Sequence, residues 1–118
     1  MIEIIITPDF EDSVKFYRNK KHYKNIEDDI APVVEQIKAG DFVGDEIPNL
    51  SLSNGEHTYK VRIACKDINA GKSNGYRMIY YAVNEANVVY LLDIYLKKDN
   101  SRVLTNREII DKINQYCE

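Results

Sequence analysis

Residues 58–96 read TYKVRIACKDINAGKSNGYRMIYYAVNEANVVYLLDIYL, and the architecture follows from how this stretch alternates. In TYKVRIAC, residues 58–65, Tyr59, Val61, Ile63 and Cys65 share one face of a strand. Lys60 and Arg62 share the other, because strand side chains alternate with period two. GYRMIYYAV, residues 75–83, and VVYLLDIYL, residues 88–96, read as two further strands. The NEAN segment between them is a tight turn, so the strands form an antiparallel meander. The last strand is the most apolar and is expected in the interior of the sheet.

Working outward, the β-branched run IEIIIT at 2–7 predicts another strand. Thr7-Pro8 then supplies an N-cap and a proline for the first helical turn. Phe10, Val14 and Tyr17 fall on one face of that helix. A second helix carries Ile26, Ile30, Val33, Val34 and Ile37 on one face and ends near Gly40. Pro32 predicts a kink in it, or a restart near Asp29. Residues 41–57 show no periodicity and read as a long connection. Thr105–Glu108 has the pattern of a capping box, followed by Ile109, Ile110, Ile113 and Tyr116 on one helical face. The predicted order is β-α-α-β-β-β-α. This is an α+β fold in one domain over residues 1–118, a small mostly antiparallel sheet with helices packed on one face.

The 118 residues are 44% hydrophobic and 30% charged, ordinary for one globular domain. Cys65 and Cys117 are the only cysteines and are expected as free thiols. The first residues lack the basic start of a secretion signal, and no apolar run approaches membrane-spanning length, so a cytoplasmic protein is expected. The net charge of −3 hides a segregation. Residues 1–57 hold six Lys/Arg against twelve Asp/Glu, whereas residues 58–102 hold eight against four. A basic middle in an acidic chain suggests an anionic partner met at one place.

Gly71-Lys72-Ser73 lacks the upstream glycine of a phosphate-binding loop. His22 and His57 stand alone, and no Cys-x-x-Cys pair is present, so neither a metal nor another cofactor is expected. What remains is the set Lys60, Arg62, Lys66, Lys72, Arg77, Lys97 and Lys98, with Tyr95 close by. Arg77 shares its strand face with Ile79, Tyr81 and Val83. It therefore needs either an ion-pair partner, for which Asp93 is the candidate, or a cavity. This chemistry suits RNA. Attack of a 2′-hydroxyl on the adjacent phosphate requires a proton acceptor, stabilisation of an anionic phosphorane and neutralisation of the leaving oxygen. Arginine and lysine supply the charge without a metal. A lysine can accept the proton where burial or neighbouring cations depress its pKa. A tyrosine can stack on a base.

At these residues the chain resembles the RelE/HigB-type toxins of the RelE/ParE toxin–antitoxin superfamily. The resemblance rests on YKVRIACKDINAGKSNGYRMIYYAV and VVYLLDIYLKKD, followed by a helix after a Ser/Thr-containing linker. It covers the C-terminal half in detail. It implies a RelE/ParE-like fold and a ribosome-dependent mRNA endonuclease (an mRNA interferase) that inhibits translation and is held in check by a cognate antitoxin. The ribosome and mRNA are then its partners, and neither a membrane nor a metal is involved. By position the resemblance reaches Lys60, Arg62, Arg77 and Lys97, with Lys66 and Lys72 in the matching loop. The catalytic candidates are Arg62, Lys72, Arg77 and Lys97, and the RNA-binding ones are Lys60, Lys66, Tyr95 and Lys98. Lys60 and Lys72 compete for the role of proton acceptor. The other readings are a ParE-like inhibitor of DNA gyrase and a catalytically degenerate module that only binds an antitoxin.

Overall fold

The computed structural model describes residues 2–117. Five strands form one sheet: β1 (Glu3–Ile6), β2 (Asp45–Glu46), β3 (Glu56–Ile63), β4 (Tyr76–Val83) and β5 (Val88–Leu96). Their spatial order is β1-β5-β4-β3-β2. β1 runs parallel to β5, and every other pair is antiparallel. The meander is therefore present, and β5 lies inside the sheet as its composition predicts. The long 41–57 connection is not structureless, because β2 forms within it against Tyr59 and Lys60. Two residues are too short to carry a periodic signal, so this strand was invisible in the sequence.

α1 (Pro8–Lys15) follows β1 directly. Thr7 caps it by accepting from the Phe10 N–H, and its hydroxyl donates to the Leu91 carbonyl at 2.8 Å, tying the turn to β5. The helix continues through a π turn over Phe16–Lys20. α2 (Ile26–Lys38) passes through Pro32 without restarting. Pro32 is exposed, and so is Asp28, whose carbonyl loses its helical donor there, so water can satisfy it.

The apolar faces of α1 and α2 cover one side of the sheet. Phe10, Val14, Tyr17, Ile26, Ile30 and Ile37 meet Val61, Ile63, Met78, Tyr80 and Leu91 there. The expectation of helices on one face is corrected by α3 (Asn106–Tyr116). Its Ile109 and Ile113 pack with Leu50, Ile79, Tyr81, Leu92 and Tyr95 on the opposite side. β4 requires this. Both of its faces are apolar, so a single helical layer would leave Ile79 and Tyr81 in water. The capping box of α3 is complete: the Thr105 hydroxyl accepts from the Glu108 N–H, and the Glu108 carboxylate accepts from the Thr105 N–H at 2.9 Å.

The register of β4 against β5 shifts between Ile79 and Tyr80, where Asp93 and then Leu91 are the partners. Leu92 is the extra residue, directly after Leu91 and before Asp93. The Asp93 carboxylate accepts from the Ser13 hydroxyl and the Ile94 N–H, and lies 3.6 Å from Lys112. Lys112 also reaches Asp9 at 2.6 Å, linking α3 to α1 around the sheet edge.

Candidate nucleic-acid interface

The face of the sheet that carries α3 also carries the strand cations. In register, Arg62 on β3 is opposite Arg77 on β4, and Arg77 is opposite Tyr95 on β5. Lys60 is opposite Ile79, one pair further along the same face. The alternation of β3 therefore works as the sequence predicts: Val61 and Ile63 face α1 and α2, and Lys60 and Arg62 face away.

A cleft of about 430 Å³ opens over this row. Lys60, Arg62 and Arg77 form its floor, while Ile47, Pro48 and Asn106 form part of its wall. Asp45 and Glu46 complete the lining, because β2 pairs beside Lys60. Glu46 is drawn away toward His57, whose Nδ1 lies 2.8 Å from its carboxylate. Among the described residues, none of Lys60, Arg62, Lys66, Lys72, Arg77, Lys97 and Lys98 lies within 4.0 Å of a carboxylate oxygen. The set makes no direct ion pair with the described residues, although Asp45 and Glu46 line the same cleft.

Arg77 is 8% exposed. The candidate partner Asp93 does not pair with it: that carboxylate accepts from the Ser13 hydroxyl and the Ile94 N–H and lies 3.6 Å from Lys112. Instead the guanidinium donates to the carbonyls of Lys72 at 3.0 Å, Ser73 at 3.0 Å and Tyr76 at 3.2 Å. Three of its five N–H donors are spent on the loop before β4, leaving two. Burial first, and then the neighbouring Arg62, pull its pKa below the ordinary value, while Tyr95 opposes them. It remains cationic at physiological pH, as arginine does in proteins.

The other candidates distribute along the same end of the sheet. Lys72 is exposed in the turn that Arg77 holds. Lys97 is exposed just beyond β5, and its N–H donates to the Gly75 carbonyl at 3.0 Å, which brings it beside the same loop. Arg62, Lys72, Arg77 and Lys97 are thus gathered where β3 and β5 end and β4 begins. Lys98 is exposed in the following turn. Lys66 is set apart: its turn leans on α2, where its N–H donates to Asp29 at 3.1 Å. Tyr95 is only 2% exposed and packs in the cluster built by Ile109 and Ile113. Its ring is covered by protein and cannot serve as a stacking platform for a base in this conformation. Burial raises its pKa, against the pull of Arg77.

Sequence reasoning missed Asp45, Glu46, Ile47, Pro48 and Asn106 as lining residues. They come from an aperiodic segment and the first residue of α3, and only the tertiary fold brings them to the cations. No known family model matches this chain, and no curated protein does either.

Proposed function

We propose that this protein is a toxin of the RelE/HigB type, a metal-independent endoribonuclease that cuts mRNA on the ribosome. The observation that carries this reading is the Arg62–Arg77 pair. Two arginines are register partners in the floor of a cleft, and among the described residues no carboxylate oxygen lies within 4.0 Å of either guanidinium. Like charges directly opposite in a sheet are destabilising, so the arrangement favours an anion between or above them.

In this reading Arg62 and the two free donors of Arg77 hold the non-bridging oxygens of a scissile phosphate and stabilise the phosphorane. The 2′-oxygen attacks phosphorus and loses its proton to the free-amine form of Lys60 or Lys72. The bond to the 5′-oxygen breaks, and that oxygen is neutralised from Lys97. The products are a 2′,3′-cyclic phosphate and a 5′-hydroxyl. The acidic remainder of the surface limits non-specific attraction to RNA and leaves capture to this one patch.

A cognate antitoxin is the proposed protein partner. The apolar groove of about 790 Å³ between α1, α2 and the edge strand β1 supports this, since it is lined by Ile4, Phe10, Val14 and Val34, with Ile6 55% exposed.

Controlled expression in a bacterium tests the proposal, with wild type beside Arg62→Gln, following growth and the 5′ ends of mRNA. Growth arrest with new cuts inside translated frames, lost in the variant, supports the interferase. Arrest without cuts but with gyrase inhibited identifies a ParE-like activity instead. No arrest from folded, soluble protein leaves an antitoxin-binding module.

A further inference from the structure

We propose that Asp29, Cys65 and Asp67 form a binding site for a divalent transition-metal ion of the zinc class, with the Tyr76 hydroxyl as its outer partner. One donor atom from each of the three lies within 4.8 Å of the other two. Asp29 comes from the first turn of α2, Cys65 from the bridge after β3, and Asp67 from the short turn that follows.

A cysteine beside two carboxylates would not by itself mark a site. The second observation is Tyr76, which begins β4 and is 0% exposed. Its hydroxyl is buried and, among the described residues, meets the geometry of a hydrogen bond with none. Buried hydroxyls are rarely left this way, because desolvation without a bond is costly. Tyr76 is the register partner of Ile63, two residues before Cys65, and it shares one buried cluster with Cys65.

Donor chemistry selects the ion. A thiolate with carboxylate oxygens suits Zn²⁺ or Co²⁺, whereas Mg²⁺ and Ca²⁺ avoid sulfur. On binding, the Cys65 thiol releases its proton to solvent and its sulfur lone pair bonds the metal. The thiolate then offers the Tyr76 hydroxyl the acceptor it lacks, the outer hydrogen bond that sulfur ligands commonly receive. Both carboxylates are oriented from outside. Asp67 accepts from the Asn25 N–H at 3.1 Å and from its side-chain amide at 3.0 Å, and Asp29 accepts from the Lys66 N–H at 3.1 Å. Each keeps lone pairs for an ion. The donors need only close from at most 4.8 Å to the roughly 3.5 Å edge of a tetrahedral zinc site.

The ion would join α2 to the loop that holds Arg77 through the Lys72 and Ser73 carbonyls. Binding is nonetheless independent of any ribonuclease activity, and its readout is optical. The metal-free protein carrying Cys117→Ser is titrated with Co²⁺ and followed by absorption. Cys117 is the only other thiol, so a near-ultraviolet thiolate-to-cobalt band in this variant arises from Cys65 alone. The expected result is a band saturating at one cobalt per chain and competed away by Zn²⁺. Asp29→Asn and Asp67→Asn should each weaken cobalt binding tenfold or more, and Tyr76→Phe by about tenfold. Absence of the band in excess cobalt, from protein folded by circular dichroism, overturns the site. So does a band that none of the three substitutions weakens. Neither outcome requires a substitution at the buried Cys65.

Discussion

Arg62 and Arg77 are register partners across β3 and β4, the one exposed and the other buried, and among the described residues no carboxylate oxygen lies within 4.0 Å of either. A sheet selected for stability alone would place a carboxylate or an apolar residue at position 62. Arg62→Gln should therefore leave stability unchanged or raise it by about 0.2–1 kcal/mol in low salt. It should also weaken binding of a short single-stranded RNA. The slope of log K against log salt should fall by about 0.7 if one phosphate contact is lost. Urea unfolding and fluorescence anisotropy measure the two effects. A loss of stability without a change in slope would show that Arg62 serves the fold.

Arg77 should behave in the opposite way. Its three carbonyl bonds hold residues 72–76 against the end of the sheet. Arg77→Met should cost about 1.5–3 kcal/mol, the range for hydrogen bonds to a charged group, because water can re-solvate the carbonyls of the exposed Lys72 and Ser73. Arg77→Lys should recover little, since one ammonium cannot span three carbonyls in a planar fork. Midpoints of urea denaturation check this, and full recovery by lysine would refute it.

Gly75 is a second fixed point of the same loop. A Cβ there would lie 2.1 Å from the Ile63 carbonyl oxygen and 3.0 Å from the Cys65 nitrogen, both backbone atoms that cannot swing aside. Gly75→Ala should cost about 1–3 kcal/mol through overpacking. Since the Gly75 carbonyl also accepts from Lys97, the variant should lose RNA affinity as well. An unchanged thermal midpoint would count against this close approach.

Asp93 and Asp9 share Lys112 yet titrate in opposite directions. Burial raises the Asp93 carboxyl above its ordinary value, although Ser13, the Ile94 N–H and Lys112 pull the other way. Burial also raises Asp9, but the hydrogen bonds from Lys112 and Tyr116 outweigh it and leave Asp9 below its ordinary value. With its folded pKa raised, Asp93 contributes stability that is complete below about pH 3.9 and lost as pH rises through the folded value. The contribution of Asp9 is present above about pH 3.9 and is lost as pH falls through its lower folded value. Relative to wild type, Asp93→Asn should therefore gain stability as pH rises from about 3 to 7, and Asp9→Asn should lose it. Urea titrations at several pH values give the two slopes, and parallel slopes would contradict the assignment.

Much of this molecule is written in local pattern. The alternation of Tyr59 to Cys65 places Lys60 and Arg62 on one face, because a strand repeats every two residues whatever surrounds it. Thr7-Pro8 and Thr105–Glu108 start their helices through bonds that span three residues. Signals of this range survive in a single sequence. The pairing of Arg62 with Arg77 depends on register between strands, and Asp93 is engaged by Ser13 and Lys112, which arrive from helices far away along the chain. α3 crosses to the second face because β4 is apolar on both sides, a demand felt only once α1 and α2 have covered the first. Tyr95 is removed from solvent by that same helix. The group of Asp29, Cys65 and Asp67 exists because the loop after β3 leans on α2, and no spacing along the chain announces it. Periodicity assigns each side chain to a face, whereas the free energy of burying both faces of the sheet settles which groups meet across it.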